Sequence, residues 1–216
     1  MTIEVLVEED APLLPRVFAN RLRCCLQRPG SDAILIGLNT TFSLKSTKNA
    51  HAVTIVVKDR TLKLSHGVAK DSQLIIHLDF DNPAAGERVE GLWRHPLLAM
   101  KIGKLMSLPL PNWADSAKRY WQLICNDPYI PASLRVTCTD EDRSLNLGSG
   151  EGTIEIHGTS AQLAEIFSGN ALLLQEVMAG KVRFRGHLKY LAGLSGSGQK
   201  IMLGDVEPGK AGDTHG

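Results

Sequence analysis

Residues 153–196, TIEIHGTSAQLAEIFSGNALLLQEVMAGKVRFRGHLKYLAGLSG, change hydrophobic period several times within a short span. Residues 153–157 alternate through Ile154 and Ile156, the pattern of a strand with one apolar face. Residues 160–167 place Leu163, Ile166 and Phe167 at three- and four-residue spacing, which predicts a helix. A second helix is predicted over 172–178, where Leu173, Leu174, Val177 and Met178 cluster. Lys181 to Arg185 returns to alternation, and a further helix starts near His187. Ser168, Gly169 and Asn170 make a flexible joint between the first two helices.

Working outward, residues 134–139 alternate as a strand, 140–143 turn, Leu145 and Leu147 form a short strand, and Gly148-Ser149-Gly150 turns again. Upstream, residues 81–132 differ in character. They are rich in proline and hold all three tryptophans, Trp93, Trp113 and Trp121. Residues 95–106 read as a helix with Leu98, Ile102, Leu105 and Met106 on one face. Residues 112–125 read as another, with Trp113, Ala117, Tyr120, Trp121 and Ile124 as its stripe and Asn112 as its cap. Pro109-Leu110-Pro111 enforces an extended break between them. Before this segment, residues 33–38, 41–46, 53–58, 62–64 and 74–80 read as strands. Asp59-Arg60 is one turn and Gly67 another, and the spacing suggests an antiparallel meander. A helix over 15–27 precedes them, striped by Leu14, Phe18, Leu22, Cys25 and Leu26 and stopped by Pro29-Gly30.

The halves echo each other. The segment VTIVVKDRTLKLSHG is matched by LRVTCTDEDRSLNLGSG, each with a strand, an Asp-Arg turn (Asp59-Arg60, Asp142-Arg143), a Leu-x-Leu strand, a glycine turn and a further strand (Leu74 to Leu78, Ile154 to Ile156). Val89 to Leu98 loosely matches Val182 to Leu191. Repeated three-strand units explain this without invoking function.

The order strand, helix of the type xxLxxIxxG, short helix, xGKVxxxG and closing helix resembles the second half of sterol carrier protein type-2 domains. Leu163, Ile166, Gly169, Gly180, Lys181, Val182 and Gly186 carry the likeness. Residues 41–80 are similar to that family's opening strands. The resemblance implies an α+β fold: a twisted, mostly antiparallel sheet covered on one face by helices, with an apolar tunnel between the layers. It also implies a single lipid-carrier-like domain over 1–204, in which 81–132 is an inserted helical segment or else marks a fusion of two half-domains, 33–110 and 133–204. Residues 205–216 have little apolar content and are expected to be a disordered tail. The function implied is non-catalytic binding or transfer of a fatty acyl chain, acyl-CoA, isoprenoid or sterol. Its ligand would be lined by Leu163, Ile166, Phe167, Leu173 and Leu174, together with Val177, Met178, Phe184, Leu188 and Leu191. Burial alone suffices for such a site, since a chain of about sixteen carbons gains roughly 13 kcal/mol gross at ~0.8 kcal/mol per CH₂. The alternative is a protein-interaction or accessory module that keeps the fold with a collapsed cavity.

Composition narrows the rest. Lys and Arg total 24 against 23 for Asp and Glu, a net charge of +1, which argues against nucleic acid as a partner. The partners expected are a hydrophobic small molecule or lipid, a transient membrane-surface contact, and a homodimer. Four cysteines, Cys24, Cys25, Cys125 and Cys138, show no CxxC spacing, so buried thiols in a reducing compartment are expected. Met1 to Asp10 is acidic without a basic n-region, and no apolar run approaches the ~20 residues of a membrane span. A cytoplasmic protein is therefore expected. Residues 193–201, GLSGSGQKI, miss the phosphate-loop spacing and read as a flexible turn. The seven histidines show no HxxxH or HxH spacing, so no metal site is expected. His77 and His157 read as ordinary strand histidines. No cofactor, catalytic residue or enzyme activity is assigned. Lys181, Arg183, Arg185 and Lys189 form either a solvated sheet face or a patch for an acidic headgroup, CoA phosphates or an anionic membrane. Trp93, Trp113, Tyr120 and Trp121 suit core packing, or a dimer contact or membrane dock if exposed.

Overall fold

The computed structural model describes residues 3–28, 30–80, 88–150 and 154–204. The chain is α+β and resolves into two compact units, Met1–Pro109 and Leu110–Gly216.

In the N-terminal unit, β1 (Glu4–Val7) and α1 (Leu13–Leu26) precede a 3₁₀ turn (Ser31–Leu35). Then follow β2 (Thr40–Ser46), β3 (Ala52–Lys58), β4 (Thr61–His66), β5 (Leu74–Leu78), β6 (Arg88–Glu90) and α2 (Pro96–Met106). The sheet order is β1-β4-β3-β2-β5-β6. Asp59 and Arg60 both take positive φ, 49° and 66°, the backbone that a two-residue hairpin needs to match strand twist. Register aligns the apolar rows: Phe42 lies opposite Ile55 and Leu74, and Leu44 opposite Val53 and Ile76. Opposed residues share a sheet face, so these rows meet Leu22 and Leu26 of α1 and Ile102 and Leu105 of α2 in one core.

The C-terminal unit comprises α3 (Trp113–Ile124), β7 (Ser133–Cys138), β8 (Arg143–Gly148), β9 (Ile154–Gly158), α4 (Ser160–Phe167), α5 (Leu173–Met178), β10 (Arg183–Arg185) and α6 (Leu188–Leu203). Its sheet order is β10-β9-β7-β8. Asn112 caps α3 by accepting from the Ala114 N–H at 2.9 Å. Leu134, Val136, Leu147, Ile154 and Ile156 of the sheet share a core with Trp113, Tyr120, Leu163 and Leu194 of the helices.

Several expectations are corrected. There are two sheets instead of one, and residues 81–132 are not one inserted body, because α2 closes the first unit and α3 opens the second. Helical periodicity reports that a face is buried, not which core buries it. The strands are not a simple meander either. β5 pairs parallel with β2, and β9 parallel with β7. Residues 31–35, which overlap the strand expected over 33–38, form the 3₁₀ turn, and 193–201 is continuous helix within α6. The expectations for Pro29 and for 205–216 lie outside the described residues.

The internal echo keeps the match of residues 74–78 with 154–156, as β5 and β9, but pairs the other strands differently from the sequence reading. The arrangement β3-β2-β5-β6 is reproduced by β8-β7-β9-β10, each a hairpin, a parallel return and an antiparallel edge strand. The Asp59-Arg60 hairpin, β3–β4, has no counterpart among the described residues of the C-terminal unit. Ile76 and His77 correspond to Ile156 and His157, because His77 faces Arg88 and His157 faces Arg183. β6 and β10 are each followed by a glycine that a side chain could not replace. Gly91 has φ +85° with its Cβ direction blocked by the Gln73 carbonyl, and Gly186 has φ +153° with Ile154 in the way.

Candidate functional site

Helix α4 is fixed at its start by sequence-local chemistry. Thr159 Oγ1 accepts from the Gln162 N–H, and Gln162 Oε1 accepts from the Thr159 N–H at 2.9 Å, a reciprocal capping box. Asp140, just past β7, adds a staple: its carboxylate accepts from the Ser160 N–H and Oγ–H, each at 2.7 Å, and from the Cys138 thiol at 2.9 Å. These anchors turn Leu163, Ile166 and Phe167 into the core, where Leu173 and Leu191 join them. Val177 and Phe184 are half-buried against the same cluster. Leu174, Met178 and Leu188 stand in solvent, Met178 at 80 % exposure. Thus the ten candidate lining residues do not form one surface. Five belong to a packed core, two flank it, and three face water.

Helix α5 is the shortest of the described helices of this unit. It has six residues, only Leu173 is buried, and it lies against α6, with the Leu174 N–H donating to Ser195 Oγ at 3.3 Å.

Two surface concavities stand out, and none of the ten candidates lines either. One, of about 500 Å³, is bounded in the C-terminal unit by Thr139, His157, Thr159, Gln162, Lys181 and Arg183. The other, of about 360 Å³, is bounded by Asn39, Thr40, Thr41, Lys58, Asp71 and Gln73. The first presents hydroxyl, amide and cationic groups suited to an anionic or hydroxylated group. Carboxylates lie against two of these groups: Lys181 pairs with Glu176 at 3.2 Å, and His157 Nε2 lies 3.4 Å from Glu155. His77 meets Glu90 at 2.9 Å at the corresponding place in the N-terminal unit. The sequence reading noted both histidines but not their equivalence. The signal was available, because the strands over 74–78 and 154–156 that the echo matches carry the pairs Ile76-His77 and Ile156-His157.

Cys24, Cys25 and Cys138 are buried free thiols, whereas Cys125 is exposed. Burial pushes the Cys138 thiol up, and its hydrogen bond to the Asp140 carboxylate pushes it further the same way, away from thiolate. No group of three or more His, Cys, Asp or Glu side chains able to hold a metal occurs among the described residues. Among them also, no helix is long and apolar enough to cross a membrane. Of the four aromatic candidates, Trp113 and Tyr120 are buried, Trp121 is half-buried, and Trp93 is exposed.

No protein-family model, curated protein or solved structure matches the chain.

The Asp140 staple carries a pH signature. Hydrogen bonds from Cys138 and from Ser160 hold its carboxyl down to about 2, whereas an unfolded aspartate titrates near ~3.9. The folded state binds this proton less readily than the unfolded one. Its stabilising effect is therefore fully present above about pH 4 and is lost as pH falls towards ~2. Urea midpoints measured across that window should fall more steeply for the wild type than for Asp140→Asn, which keeps an acceptor but does not titrate. Parallel acid limbs would remove Asp140 from the account.

Proposed function

We propose that the C-terminal unit binds an elongated apolar ligand, a fatty acyl chain, acyl-CoA, isoprenoid or sterol, between its sheet and helices α4 to α6, and does no chemistry on it. The reading also takes the unit to be sterol carrier protein type-2-like and the protein to act in the cytoplasm. The observation that carries it is α5: Leu173 is the one buried side chain of this short helix, Val177 is half-buried against the apolar cluster, and Leu174 and Met178 remain in water. An element held so lightly opens at low cost. A ligand sliding beneath it would bury apolar side chains now exposed, each worth about 1.5–3 kcal/mol when fully covered. The side chains that meet in the core, Leu163, Ile166, Phe167, Leu173 and Leu191, would then be the floor of a site that opens on binding, in place of the preformed tunnel expected from the sequence.

Organic extraction of the purified protein followed by mass spectrometry should recover a lipid. Palmitate, palmitoyl-CoA or a prenyl diphosphate at about 100-fold over its dissociation constant should stabilise the fold by ~2.7 kcal/mol. The combined change Leu174→Ser and Met178→Ser should remove the shift. If no lipid class is recovered and none moves the melting curve, the carrier reading fails.

A second reading draws on the same core. Leu163, Ile166, Phe167, Leu173 and Leu191 lie in one contiguous cluster, which suits an interaction module whose cavity has collapsed. That reading expects a stable protein partner and no ligand-induced stabilisation.

A further inference from the structure

The turn before α2 and the outer face of α2 place large apolar side chains in water. Trp93 is 97 % exposed, Leu97 75 % and Met100 62 %. Helical spacing sets Leu97, Met100, Lys101 and Lys104 along one stripe, with Ile102 and Leu105 turned into the core. Along the chain the charge within this segment is of one sign, with Glu90 and Asp115 just outside it. From Gly91 to Ala114 the chain carries Arg94, Lys101 and Lys104 and no Asp or Glu. The C-terminal unit repeats the device at the same place in its topology. Leu188 follows Gly186 by two residues, as Trp93 follows Gly91, and it too is exposed. The run 177–204 carries Lys181, Arg183, Arg185, Lys189 and Lys200, again with no Asp or Glu.

We propose that this face of the N-terminal unit docks the chain on an anionic phospholipid surface. Trp93, Leu97 and Met100 enter the boundary between headgroups and acyl chains, and Arg94, Lys101 and Lys104 lie against lipid phosphates. Charge decides the occupant. A second copy meeting the same face would set lysines against lysines, whereas an anionic leaflet attracts each cation near its surface. Tryptophan also favours the headgroup level, where its ring is half in hydrocarbon and its N–H stays wet. The proposal does not rest on the ligand reading above.

The test uses the full chain and vesicles of phosphatidylcholine with or without about 30 % phosphatidylserine, at low and high salt. Cosedimentation should be at least about tenfold stronger on the anionic vesicles and should weaken with salt. Lys101→Glu with Lys104→Glu should abolish it, and Trp93→Ser with Leu97→Ser should reduce it at least about tenfold while circular dichroism stays unchanged. These residues are exposed, so the variants keep their core. Absence of cosedimentation at low salt, or binding that neither pair of substitutions alters, overturns the proposal. A wild-type dimer that Trp93→Ser with Leu97→Ser converts to monomer assigns the face to a second copy and also overturns it. Vesicle binding without ligand-induced stabilisation supports docking and removes the carrier reading. Stabilisation without vesicle binding does the reverse.

Discussion

Replacing Phe167 with alanine lowers the free energy of unfolding by about 3–5 kcal/mol. The ring is 3 % exposed and meets Tyr120 edge to face, with centroids 5.4 Å apart and planes at 69°. Tyr120 is itself held in place: its hydroxyl donates to the Leu194 carbonyl, and burial pushes its phenol well above the usual range. Removing Phe167 therefore opens a hole between α3, α4 and α6 that rigid neighbours cannot close. Urea unfolding followed by circular dichroism reads the cost. The measurement bears on function, because a ring that lined vacant space would forfeit few contacts. A loss below about 1.5 kcal/mol would place Phe167 at the wall of a standing tunnel and withdraw the opening proposed at α5.

Gly193→Ala should cost about 1–3 kcal/mol, while Gly196→Ala, three residues on, should gain up to ~1 kcal/mol. Both glycines lie in α6, so the same helix propensity applies to each. Their surroundings differ. A Cβ at Gly193 would overlap the Tyr129 carbonyl oxygen and sit 3.1 Å from its carbon, and that backbone does not yield as a flexible side chain would. At Gly196 a Cβ meets nothing within 4 Å. Thermal melts of the two variants should move in opposite directions. If both rise, the approach of α6 to residue 129 is looser than described.

That contrast explains why 193–201 was misread from sequence. A run of glycine and serine looks like a turn when only local preference is weighed. Here Gly193 admits the backbone at Tyr129, and Gly198 lies 3.5 Å from the Tyr120 hydroxyl at its Cβ direction. Close packing of helix on neighbouring chain outweighs the propensity loss. Where local chemistry decides, the sequence was readable. Thr159 and Gln162 delimit α4, Asn112 caps α3, and alternation locates β2, β3, β7 and β9 within a residue or so. Strand order was not readable, because alternation names a buried face without naming the neighbour. β1, which pairs parallel with β4, was missed among the acids of the N-terminus. The candidate site shows the same division. Leu163, Ile166 and Phe167 were correctly seen as one inward face, but periodicity does not distinguish a side chain that fills space from one that borders it. Nor did it separate Trp93 from Trp113, since only the tertiary fold leaves one in water.

The rims of the two sheets bear on how the protein behaves at high concentration. β6 and β10 are three residues each, and both expose charge on alternate positions, Arg88 and Glu90 in one and Arg183 and Arg185 in the other. A strand that short and that charged is a poor template for a neighbouring molecule's backbone. At those two rims, edge-to-edge growth into fibrils is discouraged even while tryptophan and leucine stay uncovered nearby, so a chain that displays sticky side chains can remain dispersed.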